Sequence, residues 1–282
     1  MHCSNLAPTP GTPLFRPSWK ILLLFSCLIP IGQLPADEVV PRPRAHAHND
    51  YYHKRPLLDA LANSFCSVEA DVFLKDGQLL VGHFSFELKK ERSLETLNLA
   101  PLAKRVKANG GSVYKSRAPF HLMIDFKTDG PATYAILKPL LEKYRLMLTA
   151  FTADTTKAGA VTIVISGSRP REAMKQDAKR LAGYDGRLSD LGKAESRHFM
   201  PWISDSWRSH FKWRGNGDLT EGEQAKLANI VKSAHAAGQK IRFWAAPDTP
   251  AAWELFHKAG VDFINTDRLE NLAKFLQGRE AK

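Results

Sequence analysis

The sequence predicts a single α/β domain, a TIM-type (β/α)8 barrel, and three observations predict it. From about Pro41 onward short apolar runs alternate with amphipathic stretches, without a low-complexity segment or internal repeat, which is the pattern of successive parallel β/α units. Strand, helix and strand recur within about thirty residues near the C-terminus, the repeating unit of a barrel or a doubly wound sheet. No glycine-rich dinucleotide loop follows the first strand, and that favours the barrel. The length of 282 residues is ordinary for one such barrel.

Nine strands are expected: Arg44 to His48, Ser67 to Phe73, His121 to Lys127, Leu146 to Phe151, Val161 to Gly167, Leu181 to Gly186, Phe199 to Asp205, Ile241 to Ala246 and Val261 to Asp267. That is one more than a barrel holds, and the surplus is assigned to Leu146 to Phe151, as a hairpin with Val161 to Gly167. The last helices carry the clearest signals. Thr220 with Glu223 forms a capping box, Leu227, Ile230, Val231 and Ala234 recur at helical spacing, and Gly238 stops the helix. Thr249 caps the next, with Pro250 at its first position, Phe256 inward and Gly260 at its end.

Hydrophobic residues at 44% and charged residues at 24% exclude a disordered, collagenous or polytopic membrane chain. The formal charge of +11 favours anionic encounters without choosing among phosphates, phospholipid surfaces and nucleic acid. Residues 1–36 carry Arg16 and Lys20 but no acid, then the apolar run Ile21 to Ile31 and Gln33-Leu34-Pro35-Ala36. This order reads as a secretory signal peptide, with an N-terminal membrane anchor as the alternative. Residues 37–282 then form the barrel of a secreted or periplasmic monomer, and losing Arg16 and Lys20 still leaves it at +9. Of three cysteines only Cys66 survives cleavage, as a buried thiol.

The chemistry is read from strand alternation. In Ser67 to Phe73, Glu69 and Asp71 share one face while Val68, Ala70 and Val72 share the other. Inside a barrel two such carboxylates repel unless protonated, paired with Lys or Arg from a neighbouring strand, or bound to a cation. Asp125 and Lys127 repeat the pattern beside Ile124 and Phe126, so a third carboxylate faces the same way, with a lysine suited to a phosphate's free oxygens. His46 and His48 end the first strand, and His83 follows Leu79 to Gly82. Two histidines at strand ends beside oxygen ligands suit phosphoryl transfer, and ligands without cysteine favour Mg²⁺ or Ca²⁺ over Zn²⁺.

At these residues the chain resembles the phospholipase C-like phosphodiesterase superfamily, which includes glycerophosphodiester phosphodiesterases, phosphatidylinositol-specific phospholipases C and sphingomyelinase D. Ala47-His48-Asn49-Asp50-Tyr51 is similar to the family's His-Asn segment, implying that His48 is catalytic and Asn49 a metal ligand. Val68 to Val72 resembles its metal-binding Glu-x-Asp strand, His83 its second catalytic histidine, and Ile124 to Thr128 a segment with a third ligand, Asp125, and a phosphate-contacting Lys127. The resemblance implies one divalent cation on Asn49, Glu69, Asp71 and Asp125, and hydrolysis of a small phosphodiester or a phospholipid headgroup. Over the whole chain, with Ser204 to Trp207, Arg242 to Ala245 and Gly260 to Asp267, it is most similar to the group named for altered inheritance of mitochondria protein 6. The His-Arg-Gly and Glu-Asn motifs of glycerophosphodiester phosphodiesterases are missing, and His46 adds a histidine to the face of His48. His46, Trp244 and Asp267 are placed in the substrate pocket, His46 to orient rather than react.

Met200 to Gly215 holds Trp202, Trp207, Phe211 and Trp213 among Arg208, His210, Lys212 and Arg214. It reads as packing, as a substrate-covering or lipid-contacting surface, or as a nucleic-acid strip; no nucleic-acid motif accompanies it, so nucleic acid is not expected as a partner. Peripheral membrane contact is. Two rival functions remain: a His-x-His metal hydrolase built on His46 and His48, and a non-catalytic binder of anionic lipid or phosphosugar.

Overall fold

The computed structural model describes residues 40–279 except residue 194, so the expected signal segment, with Cys3 and Cys27, lies outside the described residues. The strands among them are β1 (Arg42–Ala47), β2 (Phe65–Lys75), β3 (Gln78–Val81), β4 (Phe120–Phe126), β5 (Ala150–Phe151), β6 (Thr156–Lys157), β7 (Val161–Gly167), β8 (Ala182–Gly186), β9 (Trp202–Ser206), β10 (Lys240–Trp244) and β11 (Ile264–Thr266). Eight of them pair in parallel in the order β10-β9-β8-β7-β4-β2-β1-β11. A parallel bridge between Arg242 and Phe263 brings the two ends together. The barrel predicted from the sequence is therefore present and nearly closed.

Its helices are α1 (Leu58–Ala62), α2 (Ala100–Ala108), α3 (Gly130–Lys143), α4 (Arg171–Gln176), α5 (Trp207–His210), α6 (Glu221–Ala236), α7 (Pro250–Ala259) and α8 (Leu269–Leu276). The apolar faces of the strands, such as Val68, Ala70 and Val72 of β2 and Leu122, Ile124 and Phe126 of β4, join one continuous core with Leu137, Leu227, Phe256 and Leu272 of the helices.

Two expectations need correction. Residues 146–151 do lie outside the barrel order, but their hairpin partner is β6, with Ala150 opposite Lys157, while Leu148 bridges Val161 in parallel. The capping box at α6 is half formed: Thr220 Oγ1 accepts from the Glu223 amide at 3.3 Å, but the Glu223 carboxylate takes the Lys212 amide instead. At α7, Thr249 accepts from Ala252, and Gly260 ends the helix in the left-handed region at φ 81°, as the sequence predicted. The β2–β3 hairpin turns at Asp76 and Gly77, both at positive φ, the backbone that an Asp-Gly pair favours. That hairpin matters because it carries the chain on to His83.

Inside the barrel an apolar plug of Met123, Val164, Trp202 and Phe263 fills the lower layers. His121 packs against both Trp202 and Phe263, with ring centroids at 5.4 and 5.1 Å. Burial drives its pKa down to about 3, and burial together with the Arg242 charge drives that of His46 down to about 4. Both are neutral in the folded protein at neutral pH. The unfolded chain takes up their protons near pH 6.5, so stability is lost as the pH falls from there toward the folded values. His121→Phe is expected to spare about 2 kcal/mol of the stability lost between pH 7 and pH 5, read from urea unfolding at both. Asp50, which burial raises to about 7, responds in the opposite sense but equally in both proteins. An identical pH dependence for the two proteins would sink this assignment.

Candidate metal and phosphodiester site

The candidate site residues stand at the C-terminal ends of the parallel strands, where barrel active sites form. Register alone aligns the acids: Asp71 of β2 lies beside Asp125 of β4, and Glu69 one repeat deeper beside Met123. Glu69, Asp71 and Asp125 each offer an oxygen, and the three atoms lie within 4.8 Å of one another. Gly167, beside them on β7, is at φ 68°, and a Cβ there would stand 2.3 Å from Asp125 Oδ1. The carboxylate occupies the room that a side chain would fill.

Each acid has a cation. Lys127 Nζ bridges Asp71 Oδ2 at 2.9 Å and Asp125 Oδ1 at 3.0 Å. Arg242 of β10 reaches across the barrel to Glu69 Oε2 at 2.5 Å, with its Nε on Asn265 Oδ1 at 2.8 Å. His46 is wholly buried, with Nδ1 on Ser67 Oγ at 2.7 Å and Nε2 on the same Glu69 oxygen at 3.2 Å. Burial disfavours the Glu69 charge, but the Arg242 guanidinium and the His46 hydrogen bond overcome it and hold the carboxyl well below its usual range. Burial and the Glu69 charge push Asp71 up and raise Asp125 to about 6. Burial works against the Lys127 ammonium, and Asp125 and Asp71 outweigh it to raise its pKa.

The donor set fits a divalent cation. Three carboxylates face two basic side chains, leaving an excess of negative charge, and Asp71 Oδ1 is buried without a hydrogen-bond partner. Asn49, in the left-handed region at φ 49°, adds an amide oxygen tied to the cluster through Tyr51, whose hydroxyl lies 2.6 Å from Asn49 Oδ1 and 2.8 Å from Asp71 Oδ2.

The two candidate catalytic histidines flank this cluster. His83 Nδ1 is 2.9 Å from Asp71 Oδ2 and 3.1 Å from the Tyr51 hydroxyl. His48 Nδ1 is 2.8 Å from Asp267 Oδ1, on which the Asn49 amide also converges at 3.3 Å. Burial disfavours the His48 imidazolium, but the Asp267 hydrogen bond and the Glu69 charge prevail and raise its pKa. Asp267 therefore orients His48. The expected substrate contact of His46 gives way to a role beneath the site, because both its nitrogens are engaged and it is buried. Trp244 shares the face of Arg242 one repeat nearer the mouth and is 38% exposed.

Sequence reasoning left Tyr51 and Arg242 out of the site. Arg242 was detectable, since it alternates with the apolar Ile241 and Phe243 of an inward-facing strand; Tyr51, in the loop after β1, carried no periodic signal. In the stretch 200–215 the aromatics pack inward: Trp202, Trp207, Phe211 and Trp213 are buried, and Trp207 stacks on Phe211 at 3.9 Å, while Arg208, Lys212 and Arg214 stay exposed.

A nearly closed parallel barrel with these side chains at its C-terminal mouth has the architecture of a barrel enzyme with a candidate cation site. The chain belongs to the family of the AIM6-like phosphodiesterase domain, which its residues 35–185 match. Residues 240–270 match the glycerophosphoryl diester phosphodiesterase family. Altered inheritance of mitochondria protein 6 of Eremothecium gossypii is 31% identical over 268 residues, spanning 82% of this chain and 69% of that protein. The protein of that name from Lachancea thermotolerans is 30% identical, spanning 82% and 65%, and the homolog from Arthroderma benhamiae 29%, spanning 87% and 88%. The crystal structure of a glycerophosphodiester phosphodiesterase from Parabacteroides distasonis aligns with a TM-score of 0.51 at 16% identity, over 84% of this chain and 98% of that one. At that identity the likeness is one of fold.

Proposed function

We propose that the protein is a cation-dependent phosphodiesterase that cleaves a glycerophosphodiester or phospholipid-headgroup diester by two-histidine acid–base catalysis. The observation that carries this is the surroundings of Asp71, which has Lys127, His83, Tyr51 and two further carboxylates about it and one oxygen left without a partner. Glu69, Asp71 and Asp125, with the Asn49 oxygen, would hold one Mg²⁺ or Ca²⁺; bound, it supplies positive charge against a phosphoryl oxygen. Lys127 supplies a second positive group for a non-bridging oxygen. His48, its Nδ1–H donating to Asp267, keeps Nε2 as the base that takes a proton from a water or a substrate hydroxyl. As that oxygen bonds to phosphorus, the bond to the leaving oxygen breaks and His83 gives the leaving oxygen its proton. The engagement of both His46 nitrogens with Ser67 and Glu69 speaks against the His-x-His hydrolase.

Calorimetric titration of chelator-treated protein with Mg²⁺ and with Ca²⁺ is expected to show stoichiometric binding of at least one of them, abolished by Glu69→Gln and by Asp71→Asn. Unchanged binding in both variants would remove the cation site.

A further inference from the structure

At the end of the barrel opposite the candidate site lies a cavity of about 310 Å³ that the chemistry above does not use. Its residues open strands rather than end them: His121 and Thr162 are paired at the start of β4 and β7, and Trp202 and Lys240 at the start of β9 and β10. The hairpin of β5 and β6, surplus to the barrel, encloses it further with Phe151 and Thr156. The volume falls at the low end of the ~300–1,000 Å³ of small-molecule sites. This end of such a barrel ordinarily serves stability alone, which does not account for a polar cavity.

Phe151, Trp202 and His121 form the buried end of the cavity, and Arg197 and Lys240 its exposed rim. His121 bonds the Cys66 carbonyl through one ring nitrogen, while its Nδ1, also buried, has no hydrogen-bond partner. Burial keeps the ring neutral, so Nδ1 is a bare acceptor in need of an O–H or N–H donor. Hydroxyls stand nearby: Thr149 Oγ1 lies 2.8 Å from Thr162 Oγ1, and Thr156 Oγ1 lies 2.7 Å from His198 Nδ1. At the rim the charge is positive. Arg197 lies against Gly238, which is at φ 69°, and a Cβ there would stand 2.8 Å from Arg197 Cδ. Arg197 makes no ion pair among the described residues. Lys240 has only Asp262 at 3.5 Å, and that carboxylate already takes His235 and the Ile241 amide. No carboxylate lines the cavity.

An acceptor at the buried end and two cations at the rim match a molecule with a hydroxyl at one end and an anion at the other. We infer that this cavity is a second ligand site, for a small phosphomonoester with a free hydroxyl, its phosphate between Arg197 and Lys240 and its hydroxyl donating to His121 Nδ1. Two cations favour the nearly doubly charged monoester phosphate over a carboxylate. A phosphomonoester is also one product of the proposed hydrolysis; that link rests on the phosphodiesterase reading, and the binding does not.

The test is titration of the full chain, in chelator, with glycerol 3-phosphate and with inorganic phosphate, read from ¹H–¹⁵N spectra of the histidine rings. Signals of His121 are assigned from His121→Phe. Glycerol 3-phosphate is expected to move the His121 Nδ1 resonance saturably, whereas inorganic phosphate, without the glycerol arm, should leave it in place. Arg197→Gln/Lys240→Gln should weaken glycerol 3-phosphate binding by about tenfold or more, the scale for losing charge-assisted hydrogen bonds. Thermal melting and turnover of bis(p-nitrophenyl) phosphate should not change. Arg197→Gln alone, at a residue with no ion pair to lose, keeps the test intact if the double variant melts early. Shifts confined to His48 and His83 would place the ligand at the mouth and overturn the second site, as would equal affinity in the double variant or no binding at all. Rim-dependent binding of both anions with the His121 resonance unmoved would leave a surface anion contact and overturn the hydroxyl-bearing ligand. Saturation at His121 in a protein that hydrolyses no diester would keep the site and remove the product link, whereas hydrolysis without that saturation would do the reverse.

Discussion

Replacing His48 with alanine is expected to lower turnover of alkyl and nitrophenyl phosphodiesters alike, by about 10²- to 10⁴-fold, the usual worth of a positioned general base. His83→Ala is expected to produce a loss of that size only with the alkyl diester, because nitrophenolate departs with little need of a proton. The two residues sit in different surroundings, which is why different profiles are expected. Asp267, more than half exposed, holds His48 at the rim of the mouth; His83 instead leans on Asp71, which is buried among the carboxylates. His46→Ala is expected to cost less with either substrate, since His46 touches Glu69 and Ser67 rather than the mouth. Steady-state kinetics of the three variants on both substrates decides the matter. An inactive His46→Ala beside a near-native His48→Ala would reverse the choice of catalytic histidine and revive the His-x-His hydrolase.

The part of this site that could be read in the sequence is the part fixed by period-two alternation. Glu69 with Asp71, and Asp125 with Lys127, share faces because successive strand residues must point to opposite sides, and parallel pairing of β2 with β4 then brings Asp71 beside Asp125. What alternation cannot supply is contact between strands that are not neighbours. Arg242 meets Glu69 from 173 positions away, a consequence of barrel closure rather than of any local pattern. For the same reason, alternation left open whether the paired acids of β2 are balanced by a lysine, an arginine or a metal; the fold supplies Lys127 and Arg242 and still leaves one Asp71 oxygen unsatisfied. The stretch 200–215 was ambiguous because a run of aromatics with basic residues has the same composition whether it covers a core or a substrate. Only the packing of Trp207 on Phe211, Phe243 and Phe256 separates the two.

Arg242→Met is expected to cost about 3–5 kcal/mol of stability, the penalty for leaving a buried carboxylate without its cation. Glu69 and Arg242 are both buried within the barrel, and the guanidinium also bonds Asn265, so no water replaces it cheaply when it is gone. His46 is a poor substitute as the charge partner, because burial still opposes protonation of its imidazole once the Arg242 charge is gone. Adding Glu69→Gln removes the stranded charge while leaving an amide that His46 can still bond, so the double variant is expected to lose less than the sum of the single variants. Urea unfolding of the four proteins at pH 7 in chelator gives the coupling directly. Strict additivity would mean that Arg242 stabilises the barrel by packing on Met123 rather than by holding Glu69 in its ionised form. A large coupling would make Arg242 the residue that keeps Glu69 ionised, and a carboxylate kept charged in the interior stands ready to accept a cation without first losing a proton.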